Sequence, residues 1–306
     1  YGARGDGKAD CTPALQKAFA QIKPGAPTVL RVGAGNWRFL PADTNAVAVF
    51  PLVGRTNLTV RGAGPGKTVL TVGVPRLSCF RVQDSSNIAM SGLTIDYDPV
   101  PFTQGTIAAV DTNASTFDLR LDPGWPAPDS PLFEKANTAW GTRVIPGVHW
   151  DLWVTRSRSF TAVVPGTVRL TIEARKDLER SKPQAGDRYV FGYRWYVRDA
   201  VVCWNADAVT LEDVHIWASP STTTVWANSS DIVIRGLAVG VKPGSGRLIA
   251  SCADGIHAFG VRGRFLIEDC RFEGMLDDGI NVHCRSAHVI EALSPEKVLE
   301  LLNNVR

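Results

Sequence analysis

Two four-residue motifs near the C-terminal end of the sequence each begin with an aspartate followed by glycine and isoleucine. They are Asp254–His257 and Asp278–Asn281, and a further acid, Asp277, directly precedes the second. Asp254 and Asp278 are 24 positions apart, a spacing typical of one coil in a stacked repeat protein. Neighbouring strands in such a stack lie about 4.8 Å apart. The spacing therefore predicts that three carboxyl groups meet on one face of the molecule.

Three carboxyl groups at that distance predict acid and base chemistry. Ionising all of them together is costly, so one tends to keep its proton. Glycoside hydrolysis uses both states, because a protonated carboxyl donates to the leaving oxygen while a carboxylate activates water or attacks carbon. A sugar also needs fixed hydrogen-bond partners and an aromatic ring for its C–H face. The candidate catalytic residues are Asp254, Asp277 and Asp278, and the candidate substrate-binding residues are His257, Asn281, His283 and Trp226.

Clustered carboxylates have two competing interpretations. They suit a divalent cation, and a calcium-dependent polysaccharide lyase would combine that cation with a basic proton abstractor, for which Arg262, Arg264 and Arg285 are candidates. A solenoid that binds glycans without cleaving them is the non-enzymatic alternative, and it would tolerate loss of the acids. With hydrolysis as the first hypothesis, we expect neither a metal nor another cofactor.

Short β segments that repeat one phrase make up much of the chain. Each copy begins with a polar residue, continues with alternating apolar positions, turns at Gly or Asp, and ends with a second alternating triplet. The copies are Asn57–Gly62, Asn87–Ile95, Ala208–Ile216, Asp231–Val239 and Arg264–Phe272. Because one coil cannot bury its apolar side without the next, this pattern predicts a β-solenoid rather than a β-sandwich.

The phrase is absent between about 103 and 194, where the sequence predicts β-hairpins instead. We therefore expect a β-helix domain formed by 1–102 and 195–306 and a small inserted β-barrel at 103–194, with long solenoid loops as the alternative for the insert. At the N-terminus, Thr12 as N-cap and Pro13 at the first helical position predict a short helix that ends at Pro24-Gly25.

Composition excludes several classes of protein. The 306 residues are 44% hydrophobic with a net charge of +3, and the 33 basic residues are scattered, so we expect no nucleic-acid partner. No apolar run approaches the roughly 20 residues of a membrane span, so we expect no membrane partner either. The six cysteines lack metal-ligand spacing, which predicts buried free thiols. A homo-oligomer is left open.

Two stretches of the sequence resemble known carbohydrate enzymes. The opening Tyr1–Asp10 resembles the N-terminal cap of many right-handed parallel β-helix enzymes, polygalacturonases among them. The pair Ala253–His257 and Asp277–His283 resembles glycoside hydrolase family 110, bacterial exo-acting α-galactosidases that remove terminal α-1,3-linked galactose, including from blood group B structures. The resemblance implies an all-β, right-handed parallel β-helix (solenoid) with an N-terminal capping helix and an inserted small antiparallel β-barrel.

The resemblance also implies a function and a role for each acid. It implies an exo-glycosidase that removes terminal α-1,3-linked galactose from an oligosaccharide or glycoconjugate with inversion. By similarity to polygalacturonases, Asp277 would be the general acid and Asp254 with Asp278 the base. A polygalacturonase-like hydrolase remains an alternative, although the Gly-His-Gly and Arg-Ile-Lys motifs of that group do not occur.

The ends of the sequence carry two further expectations. The chain begins at Tyr1 rather than Met, and we expect a secreted or periplasmic protein whose signal sequence is not part of it. Members of the resembled family continue well past the last acidic coil, whereas this sequence ends at Arg306. We therefore expect a chain truncated at its C-terminus.

Overall fold

The computed structural model describes residues 1–43, 45–134, 136, 138–144, 156–195, 198–284, 287–294 and 297–302. The first elements are β1 (Asp6–Asp10), α1 (Thr12–Phe19), β2 (Thr28–Arg31), β3 (Gly35–Phe39), β4 (Ala48–Val53), β5 (Thr56–Arg61), β6 (Thr68–Val72), β7 (Ser78–Gln83) and β8 (Ser86–Tyr97). There follow β9 (Phe102–Asp111), β10 (Thr116–Leu121), a 3-10 helix (Pro131–Phe133), β11 (Thr138–Val144), β12 (Ser157–Val164), β13 (Thr167–Ile172), α2 (Arg175–Ser181) and β14 (Arg188–Arg194). The last are β15 (Val201–Trp204), β16 (Asp207–Ile216), β17 (Thr224–Ala227), β18 (Ser230–Arg235), β19 (Ala238–Val239), β20 (Ile256–Phe259), β21 (Arg262–Glu268), β22 (Arg271–Phe272), β23 (Ile280–His283), β24 (Ala287–Ser294) and β25 (Lys297–Leu302).

The solenoid strands pair in parallel and form two long sheets. The 11-stranded sheet, sheet A, contains β1, β2, β3, β5, β6, β8, β16, β18, β19, β21 and β22. The six-stranded sheet, sheet B, has the order β4-β7-β15-β17-β20-β23. Sheet A bends along its length, because the first part of β8 pairs with β5 and its last part pairs with β6. The predicted parallel β-helix is confirmed.

The repeated phrase corresponds to a strand, a left-handed bend and a second strand. Leu58, Ile88, Val209, Ile232 and Phe265 lie in one register column of sheet A. The residue at the bend has φ between 50° and 63° in Gly92, Asp213, Gly236 and Asp269. Glycine and aspartate tolerate this left-handed conformation better than other residues do. In these four copies the Gly or Asp is therefore where the chain turns the corner of sheet A, whereas Gly62 of the first copy does not have a left-handed φ.

The N-terminal helix begins at Thr12, one residue before the predicted first position Pro13, and it ends at Phe19, before the predicted Pro24-Gly25. Its N-cap is Cys11, not Thr12, and the Cys11 side chain makes no capping bond. Instead, the Thr12 N–H donates to Oδ1 of Asp10 at 2.9 Å. The aspartate two residues earlier therefore satisfies the first N–H of the helix, which has no partner within the helix. Leu15 and Ala18 face inward and cover the first coils.

The segment between the two parts of the solenoid is an antiparallel sheet with the order β11-β14-β9-β10-β13-β12. It has its own apolar cluster, which includes Ile107, Phe117, Leu170 and Phe191. Strands β9, β10, β12, β13 and β14 cover the predicted hairpins, whereas β11 and α2 were not foreseen. The exact division at 102/103 and 194/195 stays a prediction.

The solenoid interior is filled by aliphatic and aromatic side chains from every coil. Leu70, Ile95, Leu211 and Ile234 are fully buried, and each such side chain stabilises the fold by about 1.5–3 kcal/mol relative to exposure. Among the described residues, no helix is both long and apolar enough to cross a membrane.

The six cysteines are free thiols, as predicted, but they are not all buried. Cys11, Cys79, Cys203 and Cys252 are buried, whereas Cys270 is partly exposed and Cys284 is exposed. Burial raises the pKa of the Cys252 thiol to about 12, so this thiol behaves as a small apolar side chain.

Candidate active site

The two aspartate-glycine motifs lie on neighbouring coils, directly before strands of sheet B. Ile256 of β20 pairs with Ile280 of β23, which places Asp254 and Asp278 in one column, two residues before those positions. The backbone N–H of Asp278 donates to Oδ1 of Asp254 at 3.2 Å. One oxygen from each of Asp254, Asp277 and Asp278 lies within 4.8 Å of the others. The predicted convergence of three carboxyl groups is therefore present.

Gly255, the glycine of the first motif, allows the two coils to stack this closely. A Cβ on Gly255 would lie 2.4 Å from the carbonyl oxygen of Gly279 and 2.6 Å from the ring of Phe272. Gly255 also donates its N–H to the carbonyl of Asp278 at 2.9 Å. Any side chain at this position would push the two coils apart, so the glycine is required for the short distance between the acids.

Asp254 is the most buried of the three acids, with 5% of its surface exposed. Its Oδ2 lies 2.7 Å from Nδ1 of His257, and Nε2 of His257 lies 2.8 Å from Nε2 of His283. The hydrogen bond to Asp254 raises the pKa of His257 above its usual value. Both oxygens of Asp254 are therefore engaged, one by a histidine on its own coil and one by the next coil.

Asp277 is the acid best placed to carry a proton. Burial, followed by the charge of Asp254, raises the pKa of Asp277, while Arg194 acts in the opposite direction. Nη2 of Arg194 lies 3.1 Å from Oδ2 of Asp277. Since the Asp277 side chain is 39% exposed, solvent screens this ion pair. Burial and the like charge prevail, and a raised pKa suits a general acid.

Asp278 is the exposed member of the cluster. Its Oδ2 accepts a hydrogen bond from Nδ2 of Asn281 at 3.1 Å. Asn281 lies beside His257 in the pairing of β20 with β23, so both side chains lie on the same face of sheet B. A water molecule or a sugar hydroxyl can reach Asp278 from solvent.

The antiparallel insert supplies one wall of the cluster. Arg194 ends β14, and its Nε donates to the carbonyl oxygen of Cys252 at 2.5 Å. The Arg194 guanidinium carbon lies 3.3 Å from the ring centroid of Trp140, a cation–π arrangement. A Cβ on Gly192 would lie 2.9 Å from Leu276 and 3.2 Å from Cys252. The insert therefore packs closely against the residues that precede the acids.

A fourth acid, Asp199, belongs to the same column and was missed by the sequence analysis. It precedes Val201 of β15 by two residues, as Asp254 precedes Ile256. The Thr222 N–H donates to its Oδ1 at 2.9 Å, and burial raises its pKa to about 6. The charge of Asp199 favours the protonated form of His257. Its place before a strand of sheet B was the available signal.

The prediction that Trp226 binds substrate is wrong. Trp226 is fully buried in the solenoid core, and its Nε1 donates to Oγ1 of Thr224 at 3.0 Å. Its register partners are Cys203 and Ala258, which also face inward. Side chains alternate between the two faces of a strand, so the outward positions of β17 are Val225 and Ala227 instead. The tryptophan that faces outward on sheet B is Trp204.

The arginines proposed for a lyase are not brought to the cluster. Arg262 and Arg264 lie on β21 of sheet A, and Arg285 lies outside the described residues. The arginine beside the acids is Arg194, which comes from the insert. The remaining predicted site residues, His257, Asn281 and His283, do lie around the acids, and their roles stay predictions.

Fold and site together describe a parallel β-helix protein with an acidic centre on one outer face. No protein-family model matches the chain. Among curated proteins, it is 25% identical to alpha-1,3-galactosidase A of Shewanella woodyi over 95% of this chain and 51% of that protein. It is 26% identical to alpha-1,3-galactosidase B of Akkermansia muciniphila, over 93% of this chain and 38% of that protein.

A third relative is alpha-1,3-galactosidase B of Bacteroides thetaiotaomicron, 23% identical over 97% of this chain and 52% of that protein. Together these relatives confirm the resemblance to the α-1,3-galactosidase group. The chain spans about half or less of the length of these relatives.

Solved structures with a similar course of chain are distant. One is the A-module of a mannuronan C-5 epimerase from Azotobacter vinelandii, with a TM-score of 0.36 and 12% identity over 93% of this chain and 61% of that chain. Another is PfbA, a surface adhesin of Streptococcus pneumoniae, with a TM-score of 0.35 and 12% identity over 92% of this chain and 61% of that chain. The likeness is weak, and the fold rests on the strand pairing described above.

Proposed function

We propose that this chain carries the catalytic centre of an exo-glycosidase that removes terminal α-1,3-linked galactose from glycans with inversion. The observation that carries the proposal is the convergence of Asp254, Asp277 and Asp278, with one oxygen from each lying within 4.8 Å of the others. The similarity to curated α-1,3-galactosidases over most of the chain supports the choice of substrate.

In this mechanism Asp277 is the general acid. Its raised pKa keeps a proton available, and this proton moves to the glycosidic oxygen as the bond to the anomeric carbon breaks. Arg194 beside it stabilises the carboxylate that remains after the proton has left. When a second proton reaches Asp277, the acid is ready for another turnover.

Asp254 and Asp278 act together as the base. Asp254 is held by His257 and by the next coil, which fixes the position of its carboxylate. Asp278 is exposed and removes a proton from the water that attacks the anomeric carbon. Inverting enzymes usually separate acid and base by about 6.5–9.5 Å, and the shorter spacing here matches the similarity to polygalacturonases, which invert with close carboxyl groups.

The test is hydrolysis of an aryl α-galactoside and of galactosyl-α-1,3-galactose by the chain and by its Asp277→Asn variant. We expect both substrates to release galactose with the unchanged chain. The aryl substrate has a better leaving group, so the variant should retain more activity on it than on the disaccharide. Absence of hydrolysis of both substrates by the unchanged chain would contradict the proposal.

A metal-dependent lyase is the second candidate, because three carboxylate oxygens this close together could also hold a divalent cation. Oxygen atoms are the ligands that calcium takes, and Arg194 is the nearby basic side chain. If the chain is such a lyase, we expect EDTA to inactivate it and the reaction to form an unsaturated product that absorbs in the ultraviolet. If it is a hydrolase, we expect full activity in EDTA and no such product.

A further inference from the structure

The outer face of sheet B carries a row of aromatic side chains close to the acids, here called the aromatic row and formed by Trp204, Phe259 and His283. The ring centroids of Trp204 and Phe259 are 6.0 Å apart, with the edge of one ring against the face of the other. Phe259 and His283 are stacked at 5.7 Å. Trp204 is partly exposed and His283 is exposed, whereas Phe259 is buried between them.

Strand register explains why these three rings meet. Trp204, Ala227, Phe259 and His283 occupy one column across β15, β17, β20 and β23. Ala227 is fully covered and has a side chain too small to separate its neighbours, so Trp204 contacts Phe259 across the strand between them. The row is separate from the solenoid core, because Trp204 packs with Val225, Ala227 and Phe259 in their own cluster.

The aromatic row and the acids share the same strands. Asp254 precedes β20 and Phe259 ends it, so a rise of about 3.3 Å per residue places them roughly 16 Å apart along the strand. His257 lies between them on the same face and contacts both, at 2.7 Å to Asp254 and with a ring separation of 5.6 Å to Phe259. A continuous surface therefore leads from the acids to Trp204.

The strands that carry the row end at a polar cavity. Its lining residues are Asn205, Ala206, Asp207, Asn228, Ser230 and Arg262. Asn205 directly follows Trp204, and Asn228 directly follows Ala227. Along sheet B the order is thus carboxyl groups and then aromatic rings, and the polar side chains of the cavity, Asp207 and Arg262 of sheet A among them, follow at the corner to sheet A. This order matches an extended polar ligand with apolar C–H faces.

We propose that the aromatic row binds the leaving-group side of an oligosaccharide whose terminal galactose lies at the acids. This inference rests on the proposed function, and it deepens it by naming an extended glycan rather than a disaccharide as the preferred substrate. The partly exposed indole of Trp204 packs on the C–H face of a sugar ring, while His283 donates to or accepts from its hydroxyls. Phe259 holds both rings in place.

Binding is measured first, by isothermal titration calorimetry in the Asp277→Asn background, so that the ligand is not consumed. The ligands are a tetrasaccharide ending in α-1,3-linked galactose and the trisaccharide that lacks this galactose. We expect Trp204→Ala and Trp204→Leu each to lower the affinity for both ligands by about tenfold, the effect of losing one aromatic contact. Trp204→Leu keeps apolar packing on Ala227 and Phe259, so it serves if the alanine variant folds poorly.

The matched control is Trp217→Ala. Trp217 is also a partly exposed tryptophan, but it follows β16 of sheet A beside Lys242. We expect this control to leave the affinity for both glycans unchanged within twofold. Unchanged affinity in both Trp204 variants would overturn the inference, and so would an equal loss in the Trp217 control.

Hydrolysis then separates this inference from the proposed function. In the chain with Asp277 intact, Trp204→Leu should lower kcat/KM for the tetrasaccharide by about tenfold and leave kcat/KM for an aryl α-galactoside unchanged. Equal effects on the two substrates would overturn the inference while the proposed function stands. Glycan binding that depends on Trp204 without any hydrolysis would overturn the proposed function but keep the glycan surface, and no binding at all would overturn the surface.

Discussion

Two aspartate-centred clusters lie in the solenoid, and they differ in how their charge is balanced. Asp96, at the end of β8, is fully buried and pairs with Nη1 of Arg247 at 2.6 Å and with Nζ of Lys242 at 2.8 Å. The cluster at sheet B has three carboxyl groups, one arginine and one histidine bonded to Asp254. The first cluster has more cations than acids, and the second has more acids than cations.

This difference separates a structural role from a chemical one. The cations around Asp96 join the loop after β19 to β8, because Arg247 also donates to the carbonyl oxygens of Trp217 and Tyr97. At sheet B, burial and after it the charge of Asp254 raise the pKa of Asp277, and a cluster with unbalanced acids costs stability unless a reaction uses it. The same residue type thus pairs with cations in one region and, in the proposed mechanism, supplies a proton donor in the other.

The largest expected effect is on turnover in Asp277→Asn. We expect kcat on galactosyl-α-1,3-galactose to fall by about 10²–10⁴-fold, since the general acid is lost. The free energy of unfolding in urea should not fall, because the substitution removes a charge that Asp254 repels. A large loss of stability with normal turnover would place Asp277 in the structural class with Asp96.

The opposite result is expected for Asp96→Asn. This change leaves the buried guanidinium of Arg247 without its carboxylate, which costs about 3–5 kcal/mol for a buried pair. Urea denaturation should therefore show a clear loss of stability, while kcat measured at a temperature where the variant is folded should stay within a few-fold of the unchanged chain. Matching losses in both quantities would blur the division between the two clusters.

Asp199 should make the stability of the chain depend on pH. Its folded-state pKa of about 6 lies above its unfolded value, so the folded chain binds the extra proton, and stability falls as pH rises from about 4 to 6. Asp199→Asn removes this penalty, which is roughly 3 kcal/mol at neutral pH by linkage. Urea unfolding at pH 4 and pH 7 should give a gain for the variant at pH 7 and little change at pH 4.

The smallest expected effect concerns the pH at which Asp277 loses its proton. Arg194 favours ionised Asp277, so Arg194→Met should raise the pKa of Asp277 and move the alkaline limb of kcat/KM to higher pH. The pair is partly exposed and is worth about 1 kcal/mol or less, so the shift should be below about one pH unit. A shift to lower pH would mean that another group controls that limb.

Part of the fold and part of the candidate site could be predicted, because they depend on motifs that repeat in the sequence. Four copies of the phrase have Gly or Asp at the left-handed bend, so the repeat predicted the strands of sheet A, and the spacing of the two aspartate-glycine motifs predicted the three acids. Trp226 failed, because one step along a strand turns a side chain to the other face. Arg194 could not be predicted, since it reaches Asp277 from an insert of different fold that carries no local signal for the contact.

In the proposed mechanism, the three carboxyl groups on sheet B catalyse a single displacement at an anomeric carbon. Proton NMR of the galactose first released from an aryl α-galactoside tests this most directly. The account predicts that β-galactose appears first and then mutarotates to the equilibrium mixture. Release of α-galactose as the first product would contradict it.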